Sequence, residues 1–322
     1  MSVLVYTQNW EGKFKKSTFE LVSYASKVAQ MLNTNLVCIT IGPVTEEELR
    51  KPGKYGADKI IRLESPLSSV LDNQVYTDII AQVAMKENAK IIVFSNNNEG
   101  RAVAPRLSVR LRAGMASGVS KLPLSLEPFT VYKKSYSGNA FAHLVINTDI
   151  KILTLAQNSF ELIETSDNAV TETLELVVDE ALQKTTVREV QKQTGKLLIT
   201  DAEVVVSGGR GMKSPDNWGP LVELADVLGA ATACSRPVSD EGWRPSEEHT
   251  GQTGKVISPN LYIAVGISGA TQHLAGVSSS KYIVAINTDK DAPIFEAAQY
   301  GIVGDALKVL PELVEAAKEL KK

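Results

Sequence analysis

The sequence predicts an α/β protein of two domains, each a mainly parallel sheet flanked by helices. Three observations predict it. Strand-like and helix-like segments alternate through the first half, a polar stretch interrupts them, and a second alternating series follows. The length of 322 residues suits about two domains at roughly 150 residues each. With 43% of residues hydrophobic, two sizeable cores are within reach.

In the first series, Val3–Tyr6 is a short β run. Ser17–Leu32 places Phe19, Val22, Ala25, Val28, Ala29 and Leu32 at helical spacing, with Ser17 as its cap. Leu36–Ile41 is a buried type of strand. Thr45–Arg50 is a short helix capped by Thr45, with acidic residues in its first turn. Lys59–Leu63 is a strand, Asn73–Lys86 a helix and Lys90–Phe94 a strand. Arg101–Arg112 reads as a helix with Pro105 near its first turn. The order βαβαβαβ calls for a parallel sheet covered by helices. Phe129–Tyr132, Ala142–Ile146, Lys151–Leu155 and Leu174–Val178 are short strands that extend or flank this sheet. Asp179–Ala202 is polar, with Lys184, Arg188, Lys192 and Lys196 along it, and reads as the crossover between domains 1–190 and 191–322.

The second series starts at Glu203. Strands are expected at Val204–Val206, Leu261–Val265, Tyr282–Ile286 and Ile302–Val303, with a strand or turn at Ala230–Cys234. Helices are expected at Trp218–Leu228, Ala270–Ala275 and Pro293–Gln299, and over Asp305–Leu320, which Pro311 should break or restart. The tail residues Leu307, Val309, Leu310, Leu313, Val314 and Ala317 exceed what an exposed tail should show. They argue for an obligate partner.

Composition removes several classes. The charge balance of 34 basic against 37 acidic residues gives −3, which argues against nucleic acid as the main partner. No apolar run approaches the roughly 20 residues that span a bilayer. The N-terminus has no signal-peptide pattern. The expected place is the cytoplasm, not embedded in a membrane. Two distant cysteines, Cys38 and Cys234, exclude a disulfide framework and a Cys-based zinc site. His143, His249 and His273 show no metal-ligand spacing, so no metal is expected. No nucleophile, acid pair or P-loop stands out.

The chemistry concentrates at strand ends in the second half, where open parallel sheets bind ligands. Ser207-Gly208-Gly209-Arg210-Gly211 brings backbone N–H groups and one guanidinium close to a ligand; the bland alternative is a tight turn. Cys234-Ser235-Arg236-Pro237 offers a small donor and a cation able to lie against a ring. Alone, Arg236 reads as a solvated surface residue. Thr250-Gly251-Gln252-Thr253-Gly254-Lys255 suits a planar heterocycle, or is simply a hairpin turn. Gly266-Ile267-Ser268-Gly269-Ala270-Thr271-Gln272-His273 runs from strand to helix start, an anion site over which His273 can reach back. Asn287 and Asp305 are placed to bond an adenine and its ribose, or to form an Asx turn and an N-cap.

Those segments resemble the α subunit of electron transfer flavoproteins. Val204–Met212, Thr250–Lys255, Leu261–Gly276, Tyr282–Asn287 and Ala292–Gly304 carry the resemblance, continuous over about Glu203 to Glu315. The first 190 residues resemble the family only in texture. The resemblance implies a Rossmann-like C-terminal domain holding one FAD, and an N-terminal domain that packs on a β subunit and binds none. It implies an electron carrier, not an enzyme with its own turnover. Donors would be flavin dehydrogenases, notably the acyl-CoA dehydrogenases of fatty-acid β-oxidation; the acceptor would be a membrane quinone oxidoreductase. Carried over by position, Arg210, Ser235, Thr250, Gly251, Gln252, Thr253, Ser268, Gly269, Ala270, Thr271, Gln272, His273, Asn287, Asp305 and Ala306 line the FAD. Thr253 would face flavin N5, His273 the C2 carbonyl, and Arg236 the isoalloxazine ring. Thr271, and Thr250 after His249, stand where the family usually has apolar residues. A reduced flavin carries negative charge along N1–C2=O, which a guanidinium, a His and a helix N-terminus aimed there would stabilise. Two other readings remain: an electron-bifurcating, NADH-oxidising relative whose partner holds a second FAD, and a nucleotide-binding regulatory protein that retains the fold.

Overall fold

The first strand, β1 (Ser2–Tyr6), is buried along its whole length. Its alternate side chains feed two cores. Val3 and Val5 join one with α1 (Lys16–Met31); Leu4 and Tyr6 join another with α2 (Asn73–Lys86) and α3 (Asn98–Leu111). A strand buried on both faces needs helices on both sides, so its sequence is a continuous apolar run. The computed structural model describes residues 1–64, 71–138, 140–189 and 197–321. The chain divides into two units, residues 1–135 with 139–191 and residues 136–138 with 192–322.

In the first unit β1 is joined by β2 (Asn35–Ile41), β3 (Lys59–Leu63), β4 (Ala89–Ser95), β5 (Gly114–Val119), β6 (Phe129–Ser135), β7 (Ala140–Val145), β8 (Lys151–Leu155) and β9 (Val170–Leu174). The order is β7-β6-β5-β8-β4-β1-β2-β3-β9. From β5 to β9 every pairing is parallel, and the β6–β7 hairpin adds an antiparallel edge.

Several local expectations change. Helix α1 starts at Lys16 with no side-chain cap, so Ser17 lies inside the first turn. Helix α3 starts at Asn98 because the Asn97 side chain accepts from the Gly100 N–H at 2.9 Å, which leaves Pro105 inside the helix rather than near its first turn. The last strand of this unit is Val170–Leu174, not Leu174–Val178. Leu176 and Val178 owe their apolar character to packing on the second core. Among its described residues, the stretch 179–202 holds one 3-10 turn, Glu180–Leu182, and neither helix nor strand. Lys192, Lys196 and the expected boundary at 190/191 lie outside the described residues.

In the second unit β10 (Val204–Gly208), β11 (Ala231–Cys234), β12 (Leu261–Val265), β13 (Tyr282–Asn287) and β14 (Tyr300–Val303) form a wholly parallel sheet in the order β11-β10-β12-β13-β14. One face packs on α4 (Gly219–Leu228) and α6 (Ala306–Leu320), the other on α5 (Thr271–Val277). The chain steps from β10 outward to β11 and returns beyond β10 to β12. That reversal opens a crevice at the carboxyl ends of β10 and β12.

Helix α6 is unbroken, with Pro311 inside it. Leu310, Val314 and Ala317 are buried, and Leu307, Val309 and Leu313 pack on the same core. The apolar residues of the tail are thus used within their own unit and give no argument for a partner. That packing outweighs the one hydrogen bond that Pro311 removes. The helix expected at Pro293–Gln299 is a single turn, Ile294–Ala297. Strand β14 closes one edge of the sheet with all four residues exposed.

Candidate functional site

The five parallel strands of the second sheet end on one side, and the residues singled out in the sequence gather at that rim. After β10, the Gly209 N–H donates to the Val265 carbonyl at 2.8 Å and the Gly211 N–H to the Gly266 carbonyl at 3.0 Å. A Cβ on Gly209 would come within 2.2 Å of the Gly266 oxygen, and one on Gly211 within 2.6 Å of the Gly266 Cα. The turns after β10 and β12 can touch only because both lack side chains. Ser235, after β11, donates its N–H to the Gly208 carbonyl at 3.0 Å and joins the same rim.

The Thr250–Lys255 loop is tied to β11 and α5. The buried Thr250 gives both its N–H and its Oγ1 to the Cys234 carbonyl, at 3.0 and 3.2 Å. The Gln252 N–H reaches the Gln272 carbonyl at 2.7 Å. A Cβ on Gly276 would lie 2.4 Å from the Gly251 Cα. Gly251, Gln252 and Thr253 thus lie beside Thr271, Gln272 and His273, with Gln252 and Thr253 exposed. Along the turn into α5, the N–H groups of Ser268, Gly269, Ala270, Thr271 and Gln272 have no acceptor among the described residues. Helix α5 is only seven residues long, so these N–H groups, more than any summed dipole, make the site attractive to carbonyl or phosphate oxygens.

Two cations stand at the rim. Arg210 is 4.0 Å from Glu241, and Arg236 is 3.3 Å from Asp240 with its side chain 63% exposed. Exposed pairs of this kind hold a side chain weakly, so both guanidiniums remain available to an anion. Asn287 donates to the Ile267 carbonyl at 2.9 Å and accepts from the Asp289 N–H at 3.0 Å. Asp305 caps α6 at the Leu307 N–H, 3.0 Å, and pairs with Lys213 at 2.9 Å. The Lys213 ammonium, then the Leu307 N–H, hold its carboxyl below the usual range. These two side chains are already engaged, in an Asx turn and a helix cap. Ala306 is buried in the core, so only its backbone is open to a ligand.

Beneath the loops lies a buried polar cluster. Rather than reaching over the rim, the His273 ring turns inward, its Nε2 2.8 Å from the Tyr262 hydroxyl. Its Nδ1 is buried with no hydrogen-bond partner among the described residues. Burial pushes its pKa down to about 4; His249 adds to this and the Thr250 carbonyl opposes it. Burial also raises Tyr262 well above the ordinary tyrosine value, against the Ser207 and Thr250 hydroxyls beside it. Sequence reasoning passed over Tyr262 and Lys213, and gave the Ser207 side chain no role within its segment. A tyrosine in the otherwise aliphatic run LYIAV, facing a serine at the end of VVVS, was the signal for Tyr262 and Ser207. A glycine cradle, a row of unpaired N–H groups, two rim cations and an orphaned buried nitrogen fit a large anionic heterocyclic ligand such as FAD.

In the first unit, the end of β4 and the start of α3 border a cavity of about 10 Å³ lined by Tyr6, Gln8, Ser17, Thr18, Leu21, Ser95, Asn97 and Gly100, which is water-sized at most.

The chain matches known proteins along almost its whole length. Residues 198–278 match the electron transfer flavoprotein FAD-binding domain, and residues 3–181 the electron transfer flavoprotein domain. The chain is 34% identical to the electron transfer flavoprotein subunit alpha of Bacillus subtilis, over 99% of this chain and 98% of that one. It is 35% identical to the same subunit of Syntrophomonas wolfei, over 99% and 98%. It is 32% identical to the acryloyl-CoA reductase electron transfer subunit beta of Anaerotignum propionicum, over 99% and 96%.

Proposed function

This chain belongs to the electron transfer flavoprotein α-subunit family, and from that premise we propose that it carries electrons from flavin dehydrogenases to a membrane quinone oxidoreductase. Its cofactor is FAD, its family is one of electron carriers rather than enzymes, and that family works as a heterodimer with a β subunit. The observation that carries the proposal is the rim of the second sheet. Its N–H row, glycine cradle and two guanidiniums follow the ends of β10, β11 and β12, where the strand order reverses. Acyl-CoA dehydrogenases are the proposed donors; a relative named for acryloyl-CoA reduction supports an acyl-CoA partner. We place the exchange in the cytoplasm and in fatty-acid oxidation. The domains divide at 190/191, the first packing on the β subunit.

FAD supplies the redox chemistry when bound. The chain's own residues bind and orient it. Arg210, Ser235, Thr250–Thr253, Ser268–His273, Asn287, Asp305 and Ala306 are the proposed lining, the last three through whatever capacity their turns and caps leave open. Arg236 and the N–H row would hold the ring where it gains negative charge and so would favour the reduced form. The described residues hold no helix long and apolar enough to cross a membrane.

Copurification with the β subunit tests this. The complex should be yellow, with one FAD per α chain, and should be reduced by an acyl-CoA dehydrogenase and its substrate. A colourless complex removes the carrier function. A second FAD with reduction by NADH replaces it by the bifurcating one.

A further inference from the structure

Tyr262 is fully buried in the middle of β12, and its hydroxyl has three polar neighbours: His273 Nε2, Ser207 and Thr250. Their protons can be counted. Thr250 Oγ1 already donates to the Cys234 carbonyl. Ser207 Oγ is buried and makes no well-formed hydrogen bond, so its proton is free to turn toward the Tyr262 oxygen. The Tyr262 proton then goes to the best acceptor within reach, the imidazole lone pair at 2.8 Å. A neutral imidazole has one proton. With Nε2 accepting, that proton sits on Nδ1. In the opposite arrangement Nε2 donates to Tyr262; Nδ1 lacks a partner among the described residues in either case, so the choice rests on the imidazole being the acceptor for the Tyr262 proton.

We propose that Tyr262, backed by Ser207, is a positioning residue of the flavin site: it fixes the His273 ring by Nε2 and leaves Nδ1–H as the one donor that ring offers a cofactor acceptor. This rests on the reading of the rim as the FAD site. His273 follows the row of unpaired N–H groups directly, and its Cα lies 3.7 Å from where a Cβ on Gly251 would stand. A proton on Nδ1 would add one unpartnered side-chain donor just after that row in sequence. Without the Tyr262 hydroxyl the ring is free to exchange tautomers, and the other one presents a lone pair to an atom that gains negative charge.

The test uses the copurified heterodimer with its FAD. In the unmutated complex, the two ring nitrogens of ¹⁵N-labelled His273 should report a protonated Nδ1 and a bare Nε2. A proton on Nε2 overturns the inference with no variant needed. Tyr262→Phe, which removes one hydroxyl, should keep FAD but show a mixture of tautomers. Its first one-electron reduction constant should fall about tenfold, roughly 60 mV. Unchanged tautomer and potential in Tyr262→Phe overturn the proposal. Arg236→Gln measured alongside separates the two levels. If Arg236→Gln shifts the potential and Tyr262→Phe does not, only the role of Tyr262 fails. If neither shifts it while FAD stays bound, the flavin is not at this rim and the site assignment fails with it.

Discussion

Acidification should loosen the second unit through His273, by an amount that follows from its burial. Its pKa is lowered from 6.5 to about 4. Between those values the unfolded chain takes up a proton that the folded chain refuses, so stability falls as pH drops from about 6.5 to about 4 and levels off below. The full difference is about 3 kcal/mol. Between pH 7 and pH 5 the linkage relation gives a loss of about 2 kcal/mol. That is a large part of the roughly 5–15 kcal/mol that holds a domain folded, so the effect is measurable. His249 is lowered as well, by burial first; Arg236 adds to that shift and Asp240 opposes it, so it reinforces the same window. The assay is thermal unfolding of the heterodimer at pH 7, 6 and 5, for the natural chain and for His273→Gln. The natural chain should lose about 4–8 °C more than the variant over that interval. Parallel losses in the two would show that His273 ionises freely in the fold, and the inward, buried position of its ring would be refuted.

Three other perturbations have definite outcomes. Arg236→Gln should lower the first-electron potential of bound FAD by about a factor of ten in its equilibrium constant, roughly 60 mV, with little effect on the urea midpoint, because the side chain is exposed; an unchanged potential in dye-referenced reduction would remove Arg236 from the flavin's surroundings. Gly209→Ala puts a methyl 2.2 Å from the Gly266 oxygen, and should cost about 1–3 kcal/mol in urea unfolding together with FAD content. Thr250→Val should change stability by less than about 1 kcal/mol, since the Thr250 N–H still satisfies the Cys234 carbonyl; a larger loss would mean that its hydroxyl is needed by Tyr262.

The sequence made the rim legible because glycine is chosen there for its missing side chain. The runs around Gly209, Gly251 and Gly266 stand out in composition, and each is at a close backbone approach. The inner strands β10, β12 and β13 were equally plain, being largely buried on both faces, whereas the exposed β14 was read only at Ile302–Val303. What escaped depends on long-range packing. Pro105 and Pro311 sit inside helices because Val103, Leu107, Leu310 and Val314 are buried around them, and local propensity carries no record of that. The inward turn of His273 depends on Tyr262, eleven positions earlier on a neighbouring strand. The first unit escaped for the opposite reason. Its aliphatic strands and helices are generic, and no motif in them marked the family that residues 3–181 match.

Strand β14 has a practical consequence for anyone who isolates this chain. It ends its sheet with Tyr300 at 64% and Val303 at 61% exposure, and Tyr-Gly-Ile-Val contains no lysine, proline or bulge. Natural sheet margins usually carry such gatekeepers, because an unguarded one templates strand addition from a second molecule. At high concentration the chain should therefore tend to self-associate through this margin, and Ile302→Lys is the single change best placed to keep it dispersed during handling.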